Sequence, residues 1–278
     1  GAAKYLSGSK QFKGTVQCIF QPAEEGGGGG DVMVKEGLFE KFPVDAVYGM
    51  HNMPGAPEGT IASWAGPILA SADSFELVIQ GKGGHAAMPN HAIDPVVIGA
   101  QIVNSFQIIA SRQTAPLDSV VVSTTRFNAG EAFNVIPDSV TIGGSVRTFK
   151  SEIREATERS LQKIAEGICM ANGATCSFKY HKGYPATVNH SEQARLAMQA
   201  AGKVVGEENL IREPKPLMAS EDFSYMLLAK PGCFVFIGNG TGEKGGCMVH
   251  NPHYDFNDEI LPIGASYWAS LVEQELAI

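Results

Sequence analysis

The segment between about residues 70 and 184 carries the most constraining pattern, because strand-like and helix-like stretches alternate there in the order β-α-β-β-α-β. Its strand-like stretches are rich in β-branched residues, and its helix-like stretches repeat apolar residues at helical spacing. In chain order they are SFELVIQG, DPVVIGAQIVNSFQIIASR, SVVVSTTRFNAG, SVTIGGSVRTF, SEIREATERSLQKIAEGICMANG and TCSFKYHKGY. This order is typical of a ferredoxin-like fold. We therefore predict an α+β domain over residues 70–184.

The chain on either side of this domain has an α/β pattern. Its short apolar runs, which predict strands, are GTVQCIF (14–20), VDAVYGM (44–50), GTIASW (59–64) and CFVFIGNG (233–240). Helical spacing occurs at 31–42, 191–206, 221–229 and 258–276. We predict one discontinuous α/β domain with a partly parallel sheet, formed by residues 1–69 and 185–278, with the 70–184 domain inserted into it.

Composition argues against several classes of function. The net charge of −8 and the absence of a basic run disfavour nucleic acid as a partner. No apolar run approaches the roughly 20 residues of a membrane-spanning helix. Five cysteines without paired spacing do not indicate a disulfide framework, so we expect a reducing, cytoplasmic location. Cys18, Cys169 and Cys233 lie in apolar surroundings and are predicted to be buried and inert.

Acidic and histidine side chains follow three of the predicted strands. Glu24 and Glu25 follow the first in QPAEEGGGGG, His51 follows the second in YGMHN, and His250 lies after 233–240 in VHNPHYDFND. Because ligands in open α/β sheets bind beyond the carboxyl ends of strands, we expect these side chains to converge. Imidazole and carboxylate groups suit a first-row divalent metal, and a second carboxylate can move protons. The sequence thus predicts metal-assisted hydrolysis.

Other interpretations of the same residues remain open. A glycine run can cradle phosphate, which would make this a phosphate- or nucleotide-binding module. That alternative is less favoured, because no Gly-Lys-Ser/Thr follows and two carboxylates would repel phosphate. His253 competes with His250 as a ligand, and Cys247 forms only a weak C-x-x-H signal with His250.

Polar residues of the 70–184 domain form a second group of candidates. His85, in GKGGHAAMPNH, has no bulky neighbours in sequence. It is therefore either an exposed loop residue or a side chain that contributes to a site formed with another part of the protein. Asn134 and Arg147 lie near predicted strand ends. Arg147 could hold a substrate carboxylate in a bidentate manner, although a surface arginine is the simpler interpretation.

QPAEEGGGG, YGMHN, GKGGHAAMP, FNVIPD, SEDFSY and VHNPHYDFND, in this order, resemble the M20 metallopeptidase family across essentially the whole chain. The similarity is to its amidohydrolase branch, which includes hippurate hydrolases, N-acyl-amino-acid amidohydrolases and auxin-conjugate hydrolases. The resemblance implies a Zn-peptidase-like catalytic domain with an inserted lid and dimerisation domain. It implies a homodimer that uses two divalent metal ions (Zn, Mn or Co) to cleave N-acyl amino acids into a carboxylic acid and a free amino acid.

The resemblance also implies roles for individual residues. Glu24 would be the general base and acid. The metal ligands would be Glu25, His51 and His250. His85 would stabilise the oxyanion from the partner subunit of a dimer. The substrate would be held by Asn134, Arg147, Ser220 and Glu221.

The chain departs from the family pattern in one place. The family's first metal motif, C-G-H-D-G-H, supplies a Cys and a His ligand, and it does not occur in this sequence. GAAKYL at residues 1–6 resembles the helix that follows the motif, so we expect the chain to begin just after it, without the first strands of the catalytic domain. A catalytically impaired fragment of such an enzyme is therefore the alternative hypothesis.

Overall fold

The computed structural model describes residues 1–212 and 215–278, which form two compact units. Unit 1 comprises Gly1–Ile68, Thr187–Leu217 and Glu221–Ile278, and unit 2 comprises Leu69–Ala186 and Met218–Ser220. Helices and sheets are mixed in both units, which confirms the predicted α/β class. Within the described ranges, no helix combines the length and apolarity that crossing a bilayer requires.

The elements follow in chain order. Before residue 70 they are α1 (Ala2–Ser9), α2 (Gly29–Lys35), α3 (Leu38–Lys41), β1 (Val47–Pro54), β2 (Ile61–Ala62) and β3 (Gly66–Leu69). From residue 70 to 186 they are β4 (Asp73–Gln80), β5 (Gly84–His85), α4 (Pro95–Ile108), β6 (Val120–Ala129), β7 (Val135–Ile136), β8 (Ser139–Thr148), α5 (Ser151–Ala171) and β9 (Thr175–Lys182). The remainder contains β10 (Thr187–Asn189), α6 (Ser191–Val205), β11 (Leu210–Ile211), α7 (Ser224–Ala229), β12 (Gly232–Gly240) and α8 (Leu261–Glu275).

The main sheet of unit 1 has the strand order β1-β12-β2-β11. β1 and β12 are parallel, as are β2 and β11, whereas β12 and β2 are antiparallel. Every residue of β12 is buried, which explains its nearly unbroken apolar sequence. The core between this sheet and helices α6 and α8 includes Ile61, Val235, Ile237, Tyr267 and Leu271.

Unit 2 is built on an antiparallel sheet with the order β6-β8-β4-β9. β4 alternates buried and more exposed residues, and its buried Phe75, Leu77 and Ile79 join one core with α4 and α5. Helix α4 begins where the Asp94 carboxylate accepts hydrogen bonds from the amides of Val96 and Val97. A separate ribbon pairs β5 with β7.

Some predicted elements differ in the structure. GTVQCIF (14–20) has no regular secondary structure and pairs with no strand of the described chain, and Phe20 is 88% exposed. An apolar, β-branched run favours extended backbone, but a strand also requires a hydrogen-bonded neighbour. The helical pattern at 31–42 is divided into α2 and α3, because Gly37 adopts φ 87° between them. The helix predicted at 221–229 begins only at Ser224.

The cysteine prediction was correct at two positions and wrong at one. Cys169 and Cys233 are buried, and burial raises the pKa of each thiol to about 12. Cys18 is exposed, because the segment that carries it packs against no neighbouring strand. All five cysteines are free thiols.

Candidate active site

Glu24 and Glu25 lie in a tight turn between the segment 14–20 and α2. The turn contains hydrogen bonds from the Gly26 amide to the Glu24 carbonyl (2.6 Å) and from the Gly27 amide to the Ala23 carbonyl (3.0 Å). A Cβ atom on Gly29 would lie 1.9 Å from the Pro22 carbonyl oxygen, and one on Gly30 would lie 2.8 Å from the Asp222 carbonyl oxygen. Gly29 and Gly30 therefore allow the backbone to lie close to Pro22 and Asp222. This packing places Glu24 and Glu25 beside the start of α2.

His51 was predicted to follow its strand, but it lies inside β1, opposite Phe236 of β12. β1 continues to Pro54, directly before Gly55, so the turn signal that marks the end of the strand lies beyond His51. The exposed His51 ring has its Nδ1 atom 2.6 Å from the Asn52 carbonyl oxygen. Nδ1–H donation to that carbonyl leaves the Nε2 lone pair available to a metal ion.

His250 approaches the turn from the loop that follows β12. Its Nε2 atom lies 3.5 Å from Oε2 of Glu25, and both side chains are exposed. The backbone of His250 has φ 61°, an uncommon conformation for a non-glycine residue. His253, the competing candidate, lies three residues further along, where its amide donates to the Asn251 side chain.

A cavity of about 400 Å³ in unit 1 brings several of these groups together. Glu24, Glu25, His51 and Glu221 form its polar side. Its apolar lining includes Ile19, Met50, Phe223, Met226, Phe234 and Trp268. Carboxylate and imidazole groups from three separate parts of the sequence therefore line one concave surface.

Glu24 and Glu221, which line this cavity, are crowded together with the carboxylate of Asp222. Glu24, Glu221 and Asp222 each place an oxygen within 4.8 Å of the other two. Burial, together with the negative charges of Glu221, Glu25 and Asp222, raises the pKa of Glu24 to about 7. Burial also raises the pKa of Glu221, although hydrogen bonds from Gln21 and from the Phe223 amide oppose that shift. A carboxyl group with a pKa near 7 is suited to exchange protons at neutral pH.

Unit 2 carries His85 on its two-stranded ribbon and Asn134 in the turn directly before β7. His85 in β5 is paired with Val135 in β7, and the Ala86 amide donates to the Asn134 carbonyl oxygen at 3.0 Å. Nδ1 of His85 accepts a hydrogen bond from the Ala87 amide at 3.1 Å. In a neutral imidazole the proton is then on Nε2, so this exposed ring presents a hydrogen-bond donor.

Arg147 lies in β8 opposite Val121 of the edge strand β6. Its Nη1 atom is buried and has no hydrogen-bond partner within residues 1–212 and 215–278. A buried guanidinium nitrogen without a partner is costly, and an anionic ligand would relieve that cost. Ser220 is half-buried in the short segment that precedes Glu221.

A model of peptidase family M20/M25/M40 matches residues 1–274. The chain belongs to peptidase family M20/M25/M40. A hippurate hydrolase from Campylobacter jejuni is 41% identical over 97% of this chain and 69% of its own length. IAA-amino acid hydrolase ILR1-like 4 from Arabidopsis thaliana is 40% identical over 99% of this chain and 63% of its own length.

A solved structure shows the same fold. A dinuclear metal-binding peptidase of the M20 family from Bacillus subtilis aligns with a TM-score of 0.79 and 33% identity, over 99% of this chain and 69% of that one. The chain thus spans about two thirds of the length of these M20 proteins. Proteins of the family are amidohydrolases and peptidases, which hydrolyse amide bonds.

The residues of this M20 chain fit a divalent metal ion. Three acidic oxygens crowded within 4.8 Å repel one another, and a cation would relieve that repulsion. Within this group, Asp222 is fully buried and its Oδ2 atom already accepts the Gly30 amide at 2.6 Å. Glu25, His51 and His250 are exposed and carry lone pairs suited to a metal, but among the described residues their ligand atoms do not all lie within 4.8 Å of one another.

Asp222, a member of the acidic group, and Gln21, which contacts it, were not selected from the sequence. Gln21 donates from Nε2 to Oε1 of Glu221 (2.8 Å) and also to Oδ1 of Asp222. Gln21 belongs to the quoted motif QPAEE and Asp222 to SEDF, so their proximity to the glutamates was the available signal. Their mutual contact joins positions 201 residues apart, and the sequence alone does not indicate it.

Proposed function

We propose that the whole protein is a metal-dependent amidohydrolase that cleaves the amide bond of N-acyl amino acids, hippurate-like compounds among them. The products are a carboxylic acid and a free amino acid. The observation that carries the proposal is the placement of Glu24, Glu25 and His51 around one cavity, with His250 beside Glu25. The names of the M20 relatives support the substrate class.

In this proposal Glu25, His51 and His250 hold the metal, with two divalent ions (Zn, Mn or Co) in the complete enzyme. A bound divalent ion supplies Lewis acidity, which polarises a carbonyl group and lowers the pKa of water. Glu24 accepts a proton from the attacking water at its carboxylate and returns a proton to the leaving nitrogen. The position of its carboxylate in the cavity lining, directly before Glu25, supports both steps.

The remaining candidates act on the substrate. His85 of a second subunit donates from Nε2 to the developing oxyanion, and the tautomer favoured by the Ala87 amide supports this role. Arg147 and Asn134 hold the substrate carboxylate. Glu221 can only accept hydrogen bonds while it is ionised, so it would contact a substrate N–H, and Ser220 beside it can both donate and accept.

Assembly and location complete the proposal. We infer that residues 70–184 form a lid and dimerisation domain and that the protein is a cytoplasmic homodimer. The free thiols support a reducing compartment. The phosphate-loop alternative is disfavoured, because the carboxylate of Asp222 already occupies the Gly30 amide at the start of α2.

The test is hydrolysis of hippurate and N-acetyl amino acids by the zinc-, manganese- or cobalt-loaded protein. Glu24→Gln is expected to lower kcat by about 10²–10⁴-fold, because it removes the general base. Glu36→Gln, at an exposed position just after α2, is the matched control and should retain activity. Retained turnover in Glu24→Gln contradicts the role of Glu24. A wild-type protein that binds metal but hydrolyses no N-acyl amino acid contradicts the proposed substrate class.

A further inference from the structure

We propose that Gln21 and Asp222 are positioning residues, which fix the glycine-rich turn at residues 22–30 and thereby hold the Glu24 carboxylate in place. The role assigned to Glu24 rests on the proposed function, whereas the contacts that support the fixation of the turn do not.

The turn cannot hold a side chain in place by itself. Gly26, Gly27, Gly28, Gly29 and Gly30 follow Glu25 directly. Glycine has more backbone freedom than any other residue, so a run of five is flexible unless other parts of the fold constrain it. A proton-transfer group must nevertheless stay within hydrogen-bond reach of its substrate. Hydrogen bonds inside the turn fix part of its backbone, and residues outside the turn provide further constraint.

Asp222 constrains the end of the turn. Its side chain is completely buried, and Oδ2 accepts the Gly30 amide at 2.6 Å. A buried carboxylate requires hydrogen-bond donors, so this contact is tightly retained. A Cβ atom on Gly30 would lie 2.8 Å from the Asp222 carbonyl oxygen and 3.1 Å from Oδ2, so only glycine permits this approach.

Gln21 constrains the beginning of the turn. It lies three residues before Glu24, and its Nε2 atom donates both to Asp222 Oδ1 and to Glu221 Oε1. Both ends of the 22–30 segment are thus attached to the same buried carboxylate. Glu221 in turn accepts the Phe223 amide at 3.1 Å, so the acidic pair is itself fixed to the backbone before α7.

The chemistry of the Gln21 side chain suits this position. A carboxamide has two N–H donors and no charge, so it can serve two neighbouring carboxylates at once. A lysine or arginine would also bind them, but it would place a positive charge within reach of Glu24 and stabilise the ionised form of that base. The neutral amide fixes the geometry without adding a positive charge beside Glu24.

The test uses Gln21→Met, which keeps the side-chain size and removes both donors. Gln17→Met is the matched control, because Gln17 is exposed and precedes the same turn. Three quantities are measured on each protein: kcat and KM with an N-acyl amino acid, zinc content, and hydrogen–deuterium exchange of residues 22–30. For Gln21→Met we expect kcat to fall about 10- to 100-fold with KM within about twofold, as for partners that support a catalytic group. Zinc content should not change, and exchange in the turn should be faster.

Unchanged kcat and unchanged exchange in Gln21→Met overturn the proposal. A loss of zinc together with activity also overturns it, because Gln21 would then act on a metal ligand and not on Glu24. If Gln21→Met does not fold, Asp222→Asn is measured instead, with the same expected changes and the same contradicting results. If the wild-type protein hydrolyses no N-acyl amino acid, the proposed function fails, and exchange in the turn alone decides whether these residues fix it.

Discussion

At the scale of single residues, the crowding of three carboxylates in the candidate site is the feature with the clearest chemical consequence. Glu24, Glu221 and Asp222 share a space in which each ionised carboxylate disfavours ionisation of the others. Asp222 and Glu221 receive hydrogen bonds from Gln21 and from backbone amides. Burial raises the pKa of Glu221, and burial together with the neighbouring negative charges raises the pKa of Glu24 to about 7. The raised pKa of Glu24 supports its proposed role in proton transfer.

The thiols provide a prediction at the same scale. Iodoacetamide at pH 8 should modify Cys18 readily and leave Cys169 and Cys233 unmodified in the folded protein. The reagent attacks thiolates, and burial raises the pKa of the Cys169 and Cys233 thiols to about 12, so their thiolate fraction at pH 8 is very small. Peptide mass spectrometry measures the three sites separately. Rapid labelling of Cys233 in folded protein contradicts its burial, and labelling of all sites after denaturation is the control.

Residue types and their order along the chain were sufficient to select Glu24, Glu25, His51 and His250 as candidates. Gln21 and Asp222 were not selected, because their importance comes from a contact across 201 residues of sequence. Cys18 was wrongly predicted to be buried for a related reason: apolar neighbours in sequence do not ensure a neighbouring strand in space. Residue chemistry was therefore predictable, whereas packing partners were not.

At the scale of elements, one buried carboxylate connects three parts of unit 2. Asp73, at the start of β4, accepts hydrogen bonds from Arg154 of α5, from the Tyr180 hydroxyl of β9 (2.8 Å) and from the Gly183 amide (3.0 Å). The Asp73 side chain is fully buried, and that of Arg154 is 14% exposed. Burial of the Asp73 charge is favourable only while all of these hydrogen-bond donors are present.

Asp73→Asn should therefore destabilise the protein by about 3–5 kcal/mol, since it leaves Arg154 buried without its counter-charge. Urea denaturation followed by circular dichroism measures the change. Glu192→Gln, which breaks the exposed Arg195–Glu192 pair, is the control and should have little effect. Equal effects of the two substitutions contradict a structural role for the Asp73 group.

Elements with a strong periodicity of apolar residues were predicted well. Helix α5 and strands β4 and β8 match their predicted positions closely, because amphipathic periods of 3.6 and 2 reflect burial on one side. Runs that are apolar throughout were harder to delimit: β1 continues through His51 to Pro54, and 14–20 forms no strand. The domain boundaries near residues 70 and 184, and the lid and dimerisation roles, stay predictions.

At the scale of the whole molecule, metal binding should couple to stability. A ligand that binds only the folded state adds about 2.7 kcal/mol when present at 100 times its Kd. For a chain of this size that corresponds to an increase in Tm of roughly 5–10 °C. Differential scanning calorimetry with zinc, and after removal of zinc by a chelator, measures the difference.

Substitution of a metal ligand makes this prediction specific. Glu25→Gln should abolish most of the zinc-dependent increase in Tm, whereas Glu36→Gln should retain it. A Tm that does not respond to zinc in the wild-type protein, or an increase that persists in Glu25→Gln, contradicts the assignment of Glu25 as a ligand.

The central claim is that Glu25, His51 and His250 bind a divalent metal ion beside Glu24. Anomalous diffraction at the zinc absorption edge, from crystals of the zinc-loaded protein, tests it most directly. We predict an anomalous peak within coordination distance of all three side chains. A peak bound to Asp222 and Glu221 in place of these residues, or a fully ordered site with no peak at saturating zinc, contradicts the claim.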